Sequence, residues 1–496
     1  MVKNVNFNNC AFLNKKLMQK TSLLKGTFYL GISHLVFVLS GYIINVWLAR
    51  HLGPNKYGIY GIIISFVTII NICLTGGLSQ AISKFCSEDE SLAYSIKTSM
   101  LKILIPFSIF IAIICYFSAP LISTILKDKS LIPFIRISIP IIPLFTIYAI
   151  YIGYFNGIHL FNKQSYLLII YSSLKLFFII SLSIYFGLYG TFTGFIVALI
   201  FTLLLVVLFS EKGKYCYFNI LKLIKFAFPI IINSIFLIIT VNLGLLMTKS
   251  ILINNKLVGY YNASVTLARV PDFLISGVIG SIMLPAVSSS IKKQHLKKTK
   301  NLINRWIKFS LIIVLPITFL SSFTSSTLVN LFYSEQYSPS ARPFSILIYG
   351  MMFFGIFNIL ASILKGAGKP YIPMITISIS LMLNFILNIY LIPKYQLIGA
   401  AISTSISGLL AIILISYLIF KEFGVLISIR SFLKIISASL LISIPTIFIS
   451  LPKILLPIEY MLFLGIYFLI LYFLKEIKKE DIDKIRITVI SFIPWL

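Results

Sequence analysis

Arg269 stands in the decapeptide VTLARVPDFL (residues 265–274), inside a long apolar stretch, with Asp272 three residues further on. An arginine at the centre of a bilayer costs about 2.5–3.5 kcal/mol on insertion scales, so such a side chain faces a water-filled cavity or a partner. Asn262, Thr266, Arg269, Asp272, Ser276 and Gly280 follow one another at steps of three or four, which puts them on one face of a helix. That stripe suits a cavity lining. The guanidinium fork of Arg269 can donate two parallel hydrogen bonds to an anion, phosphate above all, while Asp272 holds it in place. The same spacing also suits an Arg269–Asp272 pair within one helix that only neutralises itself. Pro271 removes a backbone hydrogen bond from this helix and predicts a kink.

Three further cations and one histidine fall inside apolar runs. Lys175 lies near the centre of its run and is the second candidate for an anion contact, without a stripe like that around Arg269. Lys102 and Arg136 lie near run ends, where long side chains can snorkel to the interface. His34, in the first run, reads either as a substrate ligand or as a hydrogen-bonded core histidine. Asp272 is the carboxylate nearest the middle of any run, and the first and seventh runs have none, which argues against ion capture by a carboxylate there. No phosphate loop, HExxH, GxSxG or paired loop carboxylates occur, so the residues point away from an enzyme, with no metal or cofactor expected. The acidic group Glu88-Asp89-Glu90 reads as a solvated linker. Five cysteines without CxxC or metal spacing read as small apolar residues.

The elements that must position these residues follow from composition. Of 496 residues 59% are hydrophobic and 11% charged, and the mean hydropathy is +1.01, which excludes a water-soluble domain. The apolar runs are long and uninterrupted, as membrane helices of about 20 residues require and membrane β-strands do not. Breaks at charged and Pro/Gly/Asn clusters predict fourteen spans, centred near residues 37, 70, 107, 143, 175, 199, 236, 273, 318, 354, 382, 408, 441 and 465. The first run is too long for the core of a signal peptide and is expected to be retained. The formal charge of +29 has no soluble domain to present it, so nucleic acid is not an expected partner. Of the 42 Lys and Arg residues, 29 fall in connections on one side and nine on the other. By the positive-inside rule both termini are cytoplasmic in a multi-pass protein of the cell membrane.

The chain also repeats itself. LLKGTFYLG from Leu23 aligns with LIKFAFPII from Leu223; YGIYG (57–61) aligns with VGYYN (258–262), and Thr75-Gly76 with Ser276-Gly277, both at an offset of 201. Gly157 matches Gly366 and Gly190 matches Gly399 at an offset of 209. Two six-span halves with the same orientation follow, a parallel repeat about an axis along the membrane normal. The expected units are a first lobe at 1–210, a second lobe at 211–420, and spans thirteen and fourteen with a tail at 421–496.

LARHLGPNKYGIYG (48–61) with TGGLSQAISKF (75–85), VGYYNASVTLARVPDFLISGVIGSIMLPAVSS (258–289) and GAGKPYIPMITISISLMLNFILNIYLIPKYQLIGAA (366–401) resemble the multidrug/oligosaccharidyl-lipid/polysaccharide exporter superfamily. The likeness is greatest to the Wzx-type polysaccharide-biosynthesis flippases, with the stage V sporulation protein B and lipid II flippase branch nearby, and extends over residues 20–420. It implies an all-α polytopic protein of two six-helix lobes in a V, which moves an undecaprenyl- or dolichyl-linked oligosaccharide across the membrane. It also implies a cavity cation in the eighth span, which Arg269 matches. The deep first-span cation of the lipid II branch has no clear counterpart here, His34 being the nearest polar residue, and the first-span carboxylate of the drug-exporting branch is absent. The combined expectation is a polyprenyl phosphate or pyrophosphate whose phosphate meets Arg269 and Lys175, with the glycan in the cavity and the tail in lipid beside the last two spans. Membrane lipids and glycan-assembly enzymes are the other expected partners. Two alternatives remain open: a cation-coupled exporter of amphipathic molecules, and a non-transporting scaffold for glycan enzymes.

Overall fold

The computed structural model describes residues 23–209, 213, 215–275, 296–448 and 452–477. Among these every regular element is helical. In chain order they are α1 (Leu23–Thr75), α2 (Leu78–Glu88), α3 (Ala93–Ile125), α4 (Leu131–Ser138), α5 (Ile141–Gly157), α6 (Phe161–Phe209), α7 (Ile220–Leu252), α8 (Asn255–Ala268) and α9 (Val270–Ile275). After them come α10 (Leu296–Phe323), α11 (Ser325–Tyr333), α12 (Ala341–Gly366), α13 (Tyr371–Phe423), α14 (Ile429–Ser443) and α15 (Leu456–Phe473), with short 3₁₀ turns between some of them. Ten runs among the described residues are long and apolar enough to cross a membrane, so this is a multi-pass membrane protein.

Three of those runs are double. α1 and α13 have 53 residues each and α6 has 49, which as straight helices would span more than twice the roughly 30 Å hydrocarbon core. Each breaks at one residue: Gly53 (φ 72°) in α1, Gly187 (φ 56°, ψ −129°) in α6 and Gln396 (φ 50°, ψ −124°) in α13. At the α1 break the chain folds back, because the Tyr57 hydroxyl donates to Asn45 Oδ1 at 3.0 Å across a separation that a straight helix would stretch to about 18 Å. In α6 a Cβ on Gly194 would press within 2.8 Å of Ile179 Cα, so two antiparallel limbs pack backbone to backbone. The predicted centres at 37 and 70, 175 and 199, and 382 and 408 fall in the paired limbs of these hairpins. The centre of the eighth, near 273, falls in α9.

The duplication recurs in backbone geometry. Gly187 and Gln396 lie 209 residues apart and share nearly the same φ and ψ. Three residues later, a Cβ on Gly190 would come 1.8 Å from the Leu182 carbonyl oxygen, and one on Gly399 would come 2.2 Å from that of Leu391, again 209 apart. At the other offset the contact is reciprocal. A Cβ on Gly58 would lie 2.1 Å from the Asn255 carbonyl oxygen, and one on Gly259 would lie 1.9 Å from that of Pro54. Both pairs are related by 201, so the two repeats meet here through a local two-fold.

The chain clusters into two compact units, Met1–Asn262 with Ile377–Ala400, and Ala263–Thr376 with Ala401–Leu496. In the first, α2, α3, α5 and α7 enclose a core of Leu78, Ile82, Phe85, Ile96, Tyr154 and Leu223. An ion pair joins two of its turns: buried Lys249, at the end of α7, reaches Asp128 Oδ2 at 2.6 Å in the α3–α4 turn. Asn255 donates to the same oxygen at 2.9 Å. In the second unit, α10, α12, α14 and α15 pack together, and Glu476 beyond α15 pairs with Lys308 at 2.6 Å and Lys434 at 3.4 Å.

Candidate functional site

The broken helix predicted at Pro271 is present. Arg269 is the residue between α8 and α9, where the missing proline N–H leaves the Leu267 carbonyl without its helical donor. On either side the helical bonds resume, Arg269 N–H to the Val265 carbonyl at 3.2 Å and Phe273 N–H to the Arg269 carbonyl at 3.1 Å. Arg269 is therefore carried on a helical path that is interrupted at one bond rather than displaced. It is half-buried, as are Thr266, one turn before it, and Asp272, in the first turn of α9.

Asp272 has a partner from another element. Asn358, in α12, donates its amide to Asp272 Oδ1 at 3.4 Å. The carboxylate is thus fixed from a second helix, and the self-neutralising pair considered above is not its whole environment. Asn358 was not singled out in the sequence, although a lone amide within GIFNILAS is the kind of signal that could have drawn attention to it.

The remaining predicted residues lie elsewhere. Asn262 belongs to the first unit and is buried against Gly61, its equivalent at the 201 offset: a Cβ there would lie 2.5 Å from Asn262 Cγ. Lys175, 7% exposed in α6, sits over the rings of Phe37 at 4.8 Å, Tyr171 at 5.5 Å and Phe195 at 6.0 Å. It makes no ion pair among the described residues; the aromatic faces supply the negative potential that an anion otherwise would. His34, in α1, is exposed, one turn before Phe37. Ser276 lies outside the described residues. The structure thus joins Asn358 to Asp272, on the helical path that carries Thr266 and Arg269, and groups Lys175 with Phe37, one turn after His34, in the other unit.

The α8–α9 joint places a guanidinium at a break in a helix and, three residues on, a carboxylate that accepts from an amide, groups of the kind that recognise anions. A duplicated set of helical hairpins carrying such a cation within an apolar segment defines a polytopic membrane protein. Comparison with known proteins gives the family. Residues 47–342 match the family described as polysaccharide biosynthesis protein, and the chain belongs to that family. A membrane protein of Methanocaldococcus jannaschii, MJ1068, is 31% identical over 150 residues, which is 30% of this chain and 29% of that one. A putative O-antigen transporter of Shigella flexneri is 23% identical over 393 residues, 75% of this chain and 91% of that protein. Among solved structures, the lipid II flippase MurJ in an inward closed conformation matches with a TM-score of 0.74 at 19% identity, covering 90% of this chain and 99% of that one. At that identity the likeness speaks for the fold.

Proposed function

We propose that the protein is a flippase that carries a polyprenyl phosphate- or pyrophosphate-linked oligosaccharide from the cytoplasmic to the outer leaflet, as a step in assembling a surface polysaccharide or other glycan. The observation that carries the reading is Arg269: a cation in an apolar segment, at a helix break, with its neighbour Asp272 held by Asn358. The names of the relatives, an O-antigen transporter and a lipid II flippase, support the same substrate class.

The physical task is to move an anionic, hydrated head group through about 30 Å of hydrocarbon while its long tail stays in lipid. Arg269 meets the phosphate. Alternating access of two lobes, at 1–210 and 211–420, presents the glycan first inside and then outside, and the last two spans at 421–496 flank the path of the tail. Both termini are cytoplasmic. An inside-negative potential assists expulsion of an anion by about 2.3 kcal/mol per charge per 100 mV. Lys175 and His34 act on this reading only if rearrangement of the first unit frees the lysine from its rings.

The test is flipping of a lipid-linked oligosaccharide in proteoliposomes, scored by access of an added lectin or glycosidase. Wild type should flip, Arg269→Ala should lose at least tenfold in rate, and Arg269→Lys should retain part of it, because an ammonium keeps the charge and loses the fork. Normal flipping by Arg269→Ala would remove the arginine from the site. Failure of wild type with any lipid-linked sugar, together with cation-dependent efflux of amphipathic molecules, would favour the exporter reading.

A further inference from the structure

α12 carries three polar side chains on one face. Asn358, Ser362 and Lys365 follow at steps of four and three, the spacing that stacks side chains one above another on a helix, and between them stand the buried residues Ile359, Leu360, Ala361, Ile363 and Leu364. The first member holds Asp272, beside Arg269. The second donates its hydroxyl to the Asn358 carbonyl at 2.9 Å. The third is half-buried and makes no hydrogen bond or ion pair among the described residues.

That last fact sets Lys365 apart. Four other lysines of the second unit each reach a carboxylate, Lys308 and Lys434 at Glu476, Lys369 at Glu422 and Lys453 at Glu335. An ammonium drawn out of water without a counterion is unfavourable, and a side chain on a helix leans toward the helix N-terminus, over the preceding turn. From its place on the helix Lys365 can reach back toward Ser362 and Asn358, along the stripe that ends at the Arg269 joint. The rise from Asn358 to Lys365 is about 10 Å, short enough for side chains reaching inward from the two ends to contact one extended anion.

We propose that Lys365 is a second anion contact, which together with Arg269 selects a diphosphate head group over a monophosphate. The inference rests on the flippase reading and narrows its substrate class. In the proposed orientation Lys365 lies at the cytoplasmic end of α12, so an incoming head group meets it first. One phosphoryl group then stays with Lys365 while the other reaches Arg269. Asn358 and Ser362 line the interval with uncharged polar groups.

The experiment uses the full chain in lipid nanodiscs and two probes with the same short tail, farnesyl diphosphate and farnesyl monophosphate. Wild type should bind the diphosphate more tightly. Lys365→Gln should weaken diphosphate binding about tenfold and leave monophosphate binding within about twofold, Lys365→Arg should restore the preference, and Arg269→Gln should weaken both. The thermal midpoint of Lys365→Gln should equal or exceed that of wild type, since an unpaired, partly desolvated charge has been removed; a fall would mark Lys365 as a structural lysine. A wild type that binds both probes with Lys365→Gln unchanged, or equally weakened for both, overturns this inference and leaves the flippase reading standing. A wild type that binds neither probe overturns the anion site at Arg269 and this inference with it.

Discussion

Replacing Asp128 should expose how much of the first unit depends on one ion pair. Lys249 is 1% exposed, and its ammonium is satisfied by Asp128 and by the side-chain oxygen of Asn255. Burial pushes the Asp128 carboxyl up, but hydrogen bonds from Lys249, Ser130 and Asn255, with the Lys249 charge, outweigh it and hold the group down at about 2. From an ordinary value of 3.8, at about 1.4 kcal/mol per tenfold change in proton affinity, the preference for the charged form is worth about 2.4 kcal/mol. Solvent on the open side of the carboxylate trims this figure. Asp128→Asn leaves Lys249 buried without its counterion, a loss of about 3–5 kcal/mol where such pairs are fully enclosed. An intermediate cost of about 2–3 kcal/mol is expected, and Lys249→Met, which leaves Asp128 its contacts with Ser130 and Asn255, should cost less. The double variant should recover most of the loss, because a methionine fills the lysine's volume without a charge. The folded-state value is depressed, so this stability is complete above pH 3.8 and is lost as pH falls through about 2; the pair should make no contribution to pH dependence between pH 5 and 8. Thermal unfolding of the four variants in detergent, repeated across pH, reads all of this. An Asp128→Asn protein as stable as wild type, or two single losses that simply add, would refute the reasoning.

Two more predictions follow from backbone geometry. Gly58→Ala and Gly259→Ala should each abolish stable folding or lower the thermal midpoint sharply and to similar extents, since both would drive a Cβ into a carbonyl oxygen at about 2 Å; Gly41→Ala, with no atom within 4 Å of the added carbon, is the control, read by fluorescence-detected gel filtration. Gln396→Gly should raise stability by about 1 kcal/mol, relieving a positive φ that a side chain resists, whereas Gly187→Ala at the equivalent hairpin should lower it by a similar amount; a loss in Gln396→Gly would mean that the glutamine side chain contributes more than the strain removes.

The sequence alone determined a great deal here because membrane helices are specified locally. Length and hydropathy locate apolar runs without any knowledge of partners, and the hairpin breaks at Gly53, Gly187 and Gln396 fall between predicted span centres. The duplication was legible because both offsets are written in residue identities, and Arg269 with Pro271 stood out because each violates what an apolar helix tolerates. Tertiary structure decided which polar groups meet. Asn358 reaches Asp272 across 86 residues and Lys249 reaches Asp128 across 121, pairings that no helical period encodes. It also settled the surroundings of Lys175: Tyr171 lies one turn away on the same helix, but the packing of α1 against α6 brings Phe37, and the return of α6 after Gly187 brings Phe195. Local sequence fixes where a charge lies along its helix; the neighbours that compensate it come from elsewhere in the chain, and their identity is a property of the packed protein.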